Sequence, residues 1–224
     1  MKRMRLAIGD IHGRDFWKHY LAEDFTEFYV VGDYFDSYDL PFIQQYHNFG
    51  ELCEMARKDR RIKLCLGNHD YHYLGNIPDQ RYSGYQDKHC YVIYQILEQN
   101  MDLLKVVYVT EDRYIISHAG ISAWFMKRMK GAGYTAIEDI NKAFTENRSI
   151  LLFNGQNPFG DDITQSPIWI RPRSLEKQPV AGYHQIVGHT PTEAIRTISL
   201  PDEKRKTITI TYIDTHNTES IYRF

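Results

Sequence analysis

Short apolar runs that stop on a glycine and a polar residue recur along the chain. Met4–Ile8 ends at Gly9-Asp10, Phe28–Val31 at Gly32-Asp33 and Ile62–Leu66 at Gly67-Asn68. Tyr114–Ser117 ends at His118-Ala119-Gly120, and Gln185–Val187 at Gly188-His189. Runs of this length bounded by turn residues predict short buried strands. Between them the apolar spacing lengthens to a helical period: Ile43, Tyr46, Leu52, Met55 and Ala56 fall on one pattern within Phe42–Arg57. Arg14–Ala22, Tyr85–Gln99, Ser122–Lys130 and Ala136–Asn147 are further predicted helices. The C-terminal part alternates instead. Ile195–Leu200, Thr207–Ile213 and Glu219–Arg223 are rich in Thr, Ile and Tyr, which predicts antiparallel strands. Pro201-Asp202-Glu203-Lys204 reads as a hairpin turn, and Gly155–Asp162, with Pro158 and Gly160, as a long mobile loop.

The repeated unit is strand, polar loop, helix, so the class is α/β. Ligands of such sheets sit beyond the carboxyl ends of the strands. Here those ends carry Asp10, His12, Asp33, Asn68, His118 and His189. Singly, each has an ordinary explanation: Asp10 as a helix cap, Asn68 as a turn residue, a lone histidine as a polar surface group. Together they form a mixed oxygen and imidazole set, which suits first-row metals such as Mn, Fe or Zn. Asp10 and His12 stand two apart, so extended backbone points them the same way, toward one ion. Asp33 has two oxygens with which to bridge, and Asn68, His118 and His189 complete a second ion. Two metals roughly 3.5–4 Å apart clamp a phosphate and activate a water.

Bulk properties narrow the class. The 224 residues suit one domain spanning 1–224, with 42% hydrophobic and 25% charged residues. A net charge of −2 gives no basic excess for nucleic acid. Three cysteines, Cys53, Cys65 and Cys90, are too few and odd for a disulfide framework. The N-terminus lacks the apolar core of a signal peptide, and no run of about 18 apolar residues predicts a membrane span. The expected location is the cytoplasm, with neither nucleic acid nor membrane as a partner.

Five segments, Gly9-Asp10-Ile11-His12-Gly13, Gly32-Asp33-Tyr34-Phe35-Asp36, Gly67-Asn68-His69-Asp70, His118-Ala119-Gly120 and Gly188-His189-Thr190-Pro191, resemble in order and spacing the signature blocks of calcineurin-like metallophosphoesterases. The chain is similar to the small bacterial and phage members of the phosphoprotein phosphatase group. That resemblance implies a four-layer α/β/β/α sandwich of two mixed sheets flanked by helices. It implies two divalent metal ions, manganese first, with iron or zinc as alternatives. Asp10 and His12 would hold metal 1, Asp33 would bridge, and Asn68, His118 and His189 would hold metal 2, with Asn68 also touching substrate. His69 would be the general acid that protonates the leaving oxygen after attack by the metal-activated hydroxide, and Asp36 would orient it. Trp169-Ile170-Arg171 is similar to a segment of bacterial relatives whose arginine grips phosphate, a task suited to the guanidinium fork. Tyr212-Ile213-Asp214-Thr215 resembles the closing strand of the group.

The implied activity is hydrolysis of phosphate monoesters, on phosphoprotein or on small phosphorylated molecules. The alternative is a dinucleoside polyphosphate hydrolase of the diadenosine tetraphosphate type. A catalytically silent binding module would require lost ligands or a lost acid, and none is lost. One departure stands out. The group's second block continues Asp-Arg-Gly, but here Asp36 is followed by Ser37-Tyr38, so one phosphate-gripping arginine is displaced to Arg14, Arg81 or Arg173. His19, His47, His72, His89, His184 and His216 carry no motif and are expected in surface or packing roles, with His72 set apart because it closely follows His69-Asp70-Tyr71.

Overall fold

In β1 (Arg5–Ile8) alternate side chains turn to opposite faces, and both faces are buried. Leu6 and Ile8 pack into one cluster with helix residues, while Ala7 joins Tyr29, Val31, Cys65, Ile116, Ile186 and Ile213 in another. A strand buried on both faces lies between two layers, which is why these strands read as continuous apolar runs. The computed structural model describes residues 4–75, 77–78, 80–154, 157, 159–201, 207–215 and 221–224.

After β1 come β2 (Glu27–Val30), α1 (Phe42–Lys58), β3 (Ile62–Cys65), α2 (Asn68–Tyr71), α3 (Cys90–Gln99), β4 (Leu104–Lys105) and β5 (Val107–Val109). Next are β6 (Tyr114–Ser117), α4 (Ala123–Gly131), α5 (Asp139–Glu146), α6 (Pro172–Lys177), β7 (His184–Val187), β8 (Arg196–Pro201), β9 (Thr207–Tyr212) and β10 (Ile221–Arg223). They form two mixed five-stranded sheets, ordered β10-β1-β2-β3-β4 and β5-β6-β7-β9-β8. Strands β1 to β4 run parallel, as do β6, β7 and β9, so their carboxyl ends lie on one side of each sheet. Phe49, Leu52 and Cys53 of α1 and Ile93, Ile96 and Leu97 of α3 cover the outer face of the first sheet. Leu175 of α6 packs with Val187, Ile210 and Tyr212 of the second. The inter-sheet layer is the small cluster around Tyr29 and Ile116. The architecture is therefore the α/β sandwich of two mixed sheets flanked by helices.

The C-terminal strands depart from a purely antiparallel arrangement. β8 and β9 do pair antiparallel, from Arg196↔Tyr212 to Pro201↔Thr207. β9 also pairs parallel with β7, and β10 leaves for the other sheet, antiparallel to β1. Alternation reports which faces are apolar but not which neighbour satisfies the backbone. The hairpin turn at 202–204 lies outside the described residues, as do residues 155, 156 and 158 of the Gly155–Asp162 loop. The first predicted helix is a 3-10 helix, Phe16–Ala22. The Tyr85–Gln99 helix starts only at Cys90, and ahead of it the Gln86 N–H donates to the Tyr73 hydroxyl and the Gln86 side chain to Asp36. All three cysteines are free thiols. Among the described residues no helix is long and apolar enough to cross a membrane.

Candidate metal centre

The loops that leave β1, β2, β3, β6 and β7 meet at one edge of the paired sheets, and their backbones are unusually bent there. His12, Asp33, Asp36 and His189 all have φ between 39° and 64°. Non-glycine residues in that region cost about 1–3 kcal/mol each and persist where surroundings over-determine them. The surroundings are visible: the His12 N–H donates to the Asp33 carbonyl at 2.8 Å, and the Asp33 N–H to Asp70 Oδ2 at 2.9 Å. Glycine is required where backbone passes the carboxylates. A Cβ on Gly67 would collide with Asp33 Oδ1, and one on Gly188 with Asp10 Oδ1.

Each inward imidazole has its outer nitrogen tied to a carbonyl. His12 Nδ1 lies 2.8 Å from the Phe35 oxygen, His118 Nδ1 2.9 Å from that of Val31, and His189 Nε2 3.2 Å from that of Trp169. A carbonyl only accepts, so the outer nitrogen carries the proton and the inner one presents a lone pair. His118 Nε2 and His189 Nδ1 are 3.2 Å apart, and each lies within 2.9 Å of Asn68 Oδ1. Three acceptors facing one another at this spacing repel unless a cation sits among them, so this donor set fits a metal. Asp33 Oδ2 lies 3.4 Å from His118 Nε2 and 3.8 Å from His12 Nε2, facing both sides of the centre. Its Oδ1 accepts the His69 N–H at 3.0 Å. Both oxygens of Asp10 accept the His189 N–H at 3.1 Å, joining the first strand end to the last. Donor atoms of Asp10, Asp33 and His118 all lie within 4.8 Å of one another.

The electrostatics agree. Burial, then neighbouring carboxylates, pushes Asp10 and Asp33 well above the ordinary carboxyl range. Burial lowers His12 to about 4 and His118 to about 3, and holds His189 well below its usual value. The imidazoles are thus neutral and ready to bind, and the crowded carboxyls lack a counter-charge. A divalent cation supplies what both need.

Beside this centre His69 Nδ1 lies 2.9 Å from Asp36 Oδ2, leaving Nε2 free on a partly exposed ring. Burial pushes Asp36 upward, but the hydrogen bond from His69 and the close imidazole of His72 outweigh it and hold the carboxyl below its usual range. Arg171 Nη1 donates to the His189 carbonyl at 3.0 Å and to Thr190 Oγ1 at 3.1 Å, which places the guanidinium at the rim of the second imidazole cluster. Of the three arginines expected to stand in for the one absent after Asp36, Arg14 contacts a centre residue, reaching the His12 carbonyl at 3.4 Å and Asp39 at 2.7 Å. Ser37, the residue in the arginine's place, also bonds Asp39. Arg81 pairs with Asp87, and Arg173 lines a separate groove with Glu176 and Arg196.

Two residues carry more than their sequence position suggested. Asp70 accepts the N–H groups of Asp33, Tyr34 and Gly67 at 2.8–3.0 Å, fastening the β2 and β3 loops together. An acidic residue at the third position of a helix was the available signal. His72, expected in a packing role, has its Nε2 2.7 Å from Asp36 Oδ2. Its closeness to His69 in sequence was the only hint.

Comparison with known proteins agrees with this fold. The cold-active protein-tyrosine phosphatase of a psychrophile, Shewanella sp., superposes with a TM-score of 0.62 at 16% identity, over 99% of this chain and 75% of that one. Another cold-active protein tyrosine phosphatase structure gives 0.58 at 21% identity, covering 99% and 73%. At these identities the likeness is one of fold. No curated protein matches the chain. The sequence profile of the calcineurin-like phosphoesterases matches residues 5–211, and with that span, this fold and this donor set, the chain belongs to the calcineurin-like phosphoesterase family of metal-dependent hydrolases.

Proposed function

We propose that this protein is a two-metal phosphomonoesterase acting on phosphoprotein or small phosphorylated molecules. The observation that carries the reading is Asp33 Oδ2, which faces the His12 side and the His118 side at once, 3.8 and 3.4 Å away. Asp10 and His12 would hold one ion and Asn68, His118 and His189 the other, with Asp33 between. When bound, the pair supplies charge neutralisation and an activated water. The chain's own residues do the rest. Arg171 grips the phosphate from the His189 side, and Arg14 stands beside His12 as a second cationic group. His69 donates a proton from Nε2 to the leaving oxygen, its Nδ1 being committed to Asp36. The structural neighbours named as protein tyrosine phosphatases have a phosphomonoester substrate of this class.

The test is a substrate panel on chelator-stripped protein with verified metal content, then on protein reloaded with Mn²⁺ or Ca²⁺. Activity on phosphomonoesters returns with Mn²⁺ and poorly with Ca²⁺, because imidazole ligands disfavour the hardest ions. Full activity in the stripped sample would overturn the metal mechanism. Strong preference for a dinucleoside tetraphosphate over every monoester would overturn the substrate class.

A further inference from the structure

Asp36 is enclosed by donors that its pairing with His69 does not explain. Its side chain is fully buried, with His69 Nδ1 2.9 Å and His72 Nε2 2.7 Å from the same oxygen, Oδ2. Oδ1 takes the Tyr73 hydroxyl at 2.5 Å and Gln86 Nε2 at 3.3 Å. The His72 side chain is itself wholly enclosed. The Tyr82 N–H reaches His72 Nδ1 at 3.4 Å, and a backbone N–H only donates. Nδ1 therefore holds a lone pair, and the proton of the neutral ring sits on Nε2, against Asp36. The contact is short but bent. Packing holds the ring there. Tyr82 lies parallel at 5.5 Å and 8°, while Tyr73 and Tyr85 meet it edge-on at 4.4 and 4.9 Å.

The terminal torsion of an aspartate is broad and roughly two-fold, so a carboxylate held by one partner swings. Held by Tyr73 and Gln86 on one oxygen, with the enclosed His72 ring pressed against the other at 2.7 Å, Asp36 has a fixed plane. His69 then hydrogen-bonds to a fixed acceptor, with its ring edge against His12 at 5.3 Å and 81°. We propose that His72 is a positioning residue for the reaction, acting through Asp36 to fix the ring of His69. Its contacts are with Asp36, His69, Tyr73, Tyr82 and Tyr85. The proposal rests on the reading of His69 as the acid.

The experiment uses Mn-loaded full chain with two substrates, phosphoserine as an alkyl ester and p-nitrophenyl phosphate as an activated aryl ester. His72→Phe keeps the aromatic packing and removes the donor. His72→Gln places an amide nitrogen as many bonds from Cα as Nε2 and keeps it. Misplacing a reacting group costs up to about 10²-fold. His72→Phe is expected to lose that order in kcat on the alkyl ester, clearly less on the aryl ester, with KM little changed. His72→Gln recovers most of the loss. In a His69→Asn background, His72→Phe costs nothing further on the alkyl ester. Where His72→Phe does not fold, His72→Asn, too short to reach Asp36, gives the same alkyl-to-aryl ratio. Equal losses on both esters, a lost metal, or no recovery with glutamine would overturn the proposal. His69→Asn separates the two levels. Leaving-group dependence there but absent from the His72 variants sinks the positioning role alone, and its absence in His69→Asn sinks the acid reading with it.

Discussion

Asp33 has two different oxygens, and that difference predicts how it fails. Oδ1 is committed to the His69 N–H, while Oδ2 faces the lone pairs of His12 and His118. In Asp33→Asn the amide oxygen retains the first bond and the NH₂ group turns toward the imidazoles. The variant is expected to fold as stably as the parent without metal. It is also expected to bind one ion in place of two and to lose more than the roughly 10–100-fold that outer-shell changes cost. Metal analysis beside turnover decides it; two tightly held ions with near-normal rate would rule out the bridge. At His69 the expectation depends on the leaving group. General acids contribute typically 10²–10⁴-fold, so His69→Asn should lose about that much on an alkyl phosphate and less on an activated aryl phosphate, with metal content unchanged. Asp33 was legible in the sequence because it stands directly behind an apolar run and beside Gly32, whereas His69 was legible only through the resemblance of the Gly67-Asn68-His69-Asp70 segment to a family block. The role of His72 was not, because its partners Asp36 and Tyr82 come from separate loops and only folding brings them together.

At the scale of elements, the loops that carry Asp33 and Asn68 are held in register by one carboxylate. Asp70 projects from the four-residue helix α2 and accepts three backbone N–H groups, all within the bent segments. Leaving one buried donor without a partner costs about 1–3 kcal/mol. Asp70→Ala orphans three, so a loss of several kcal/mol is expected, read as a lower urea midpoint at unchanged slope. Asp70→Asn keeps one acceptor oxygen and should fall between. An unchanged midpoint for the alanine variant would show that the loops hold their shape without it. The same locality explains which elements were readable. The β1, β2, β3, β6 and β7 runs announce themselves by composition, and α1 by its period. Strand β4 has only two residues, Leu104–Lys105, too few for any period. Helix α6 is short, and its one signal was Pro172 at the first turn. The placement of β10 beside β1 depends on pairing across nearly the whole chain, which no local pattern encodes.

At the scale of the whole molecule, folding forces together charges that would stay apart in the open chain. The Asp10 carboxylate and the His189 N–H, 179 positions apart, are in direct contact, and Asp33 Oδ2 lies 3.4 Å from His118 Nε2. The cost appears as carboxyls pushed well above their usual range by burial and by each other. The imidazoles are displaced the other way, His12 to about 4 and His118 to about 3. The sign of the proton linkage follows. Near neutral pH the imidazoles have no proton to lose, so they neither release protons nor compete with metal. A carboxyl whose pKa is raised keeps a proton that a divalent ion must expel, so the metal-free protein binds more protons than the loaded one. Metal binding should therefore release protons, and affinity should rise with pH until these raised carboxyls have ionised and level off above that point. Calorimetry of Mn²⁺ binding at pH 6 in two buffers of different ionisation enthalpy measures this directly, because released protons are taken up by the buffer. A difference in apparent enthalpy that shrinks toward higher pH, and shrinks further in Asp10→Asn, is the expected result. Heats that match in both buffers from acid to neutral pH would mean that the carboxylates are already ionised before the metal arrives, and that burial at this edge is offset by something other than the ions.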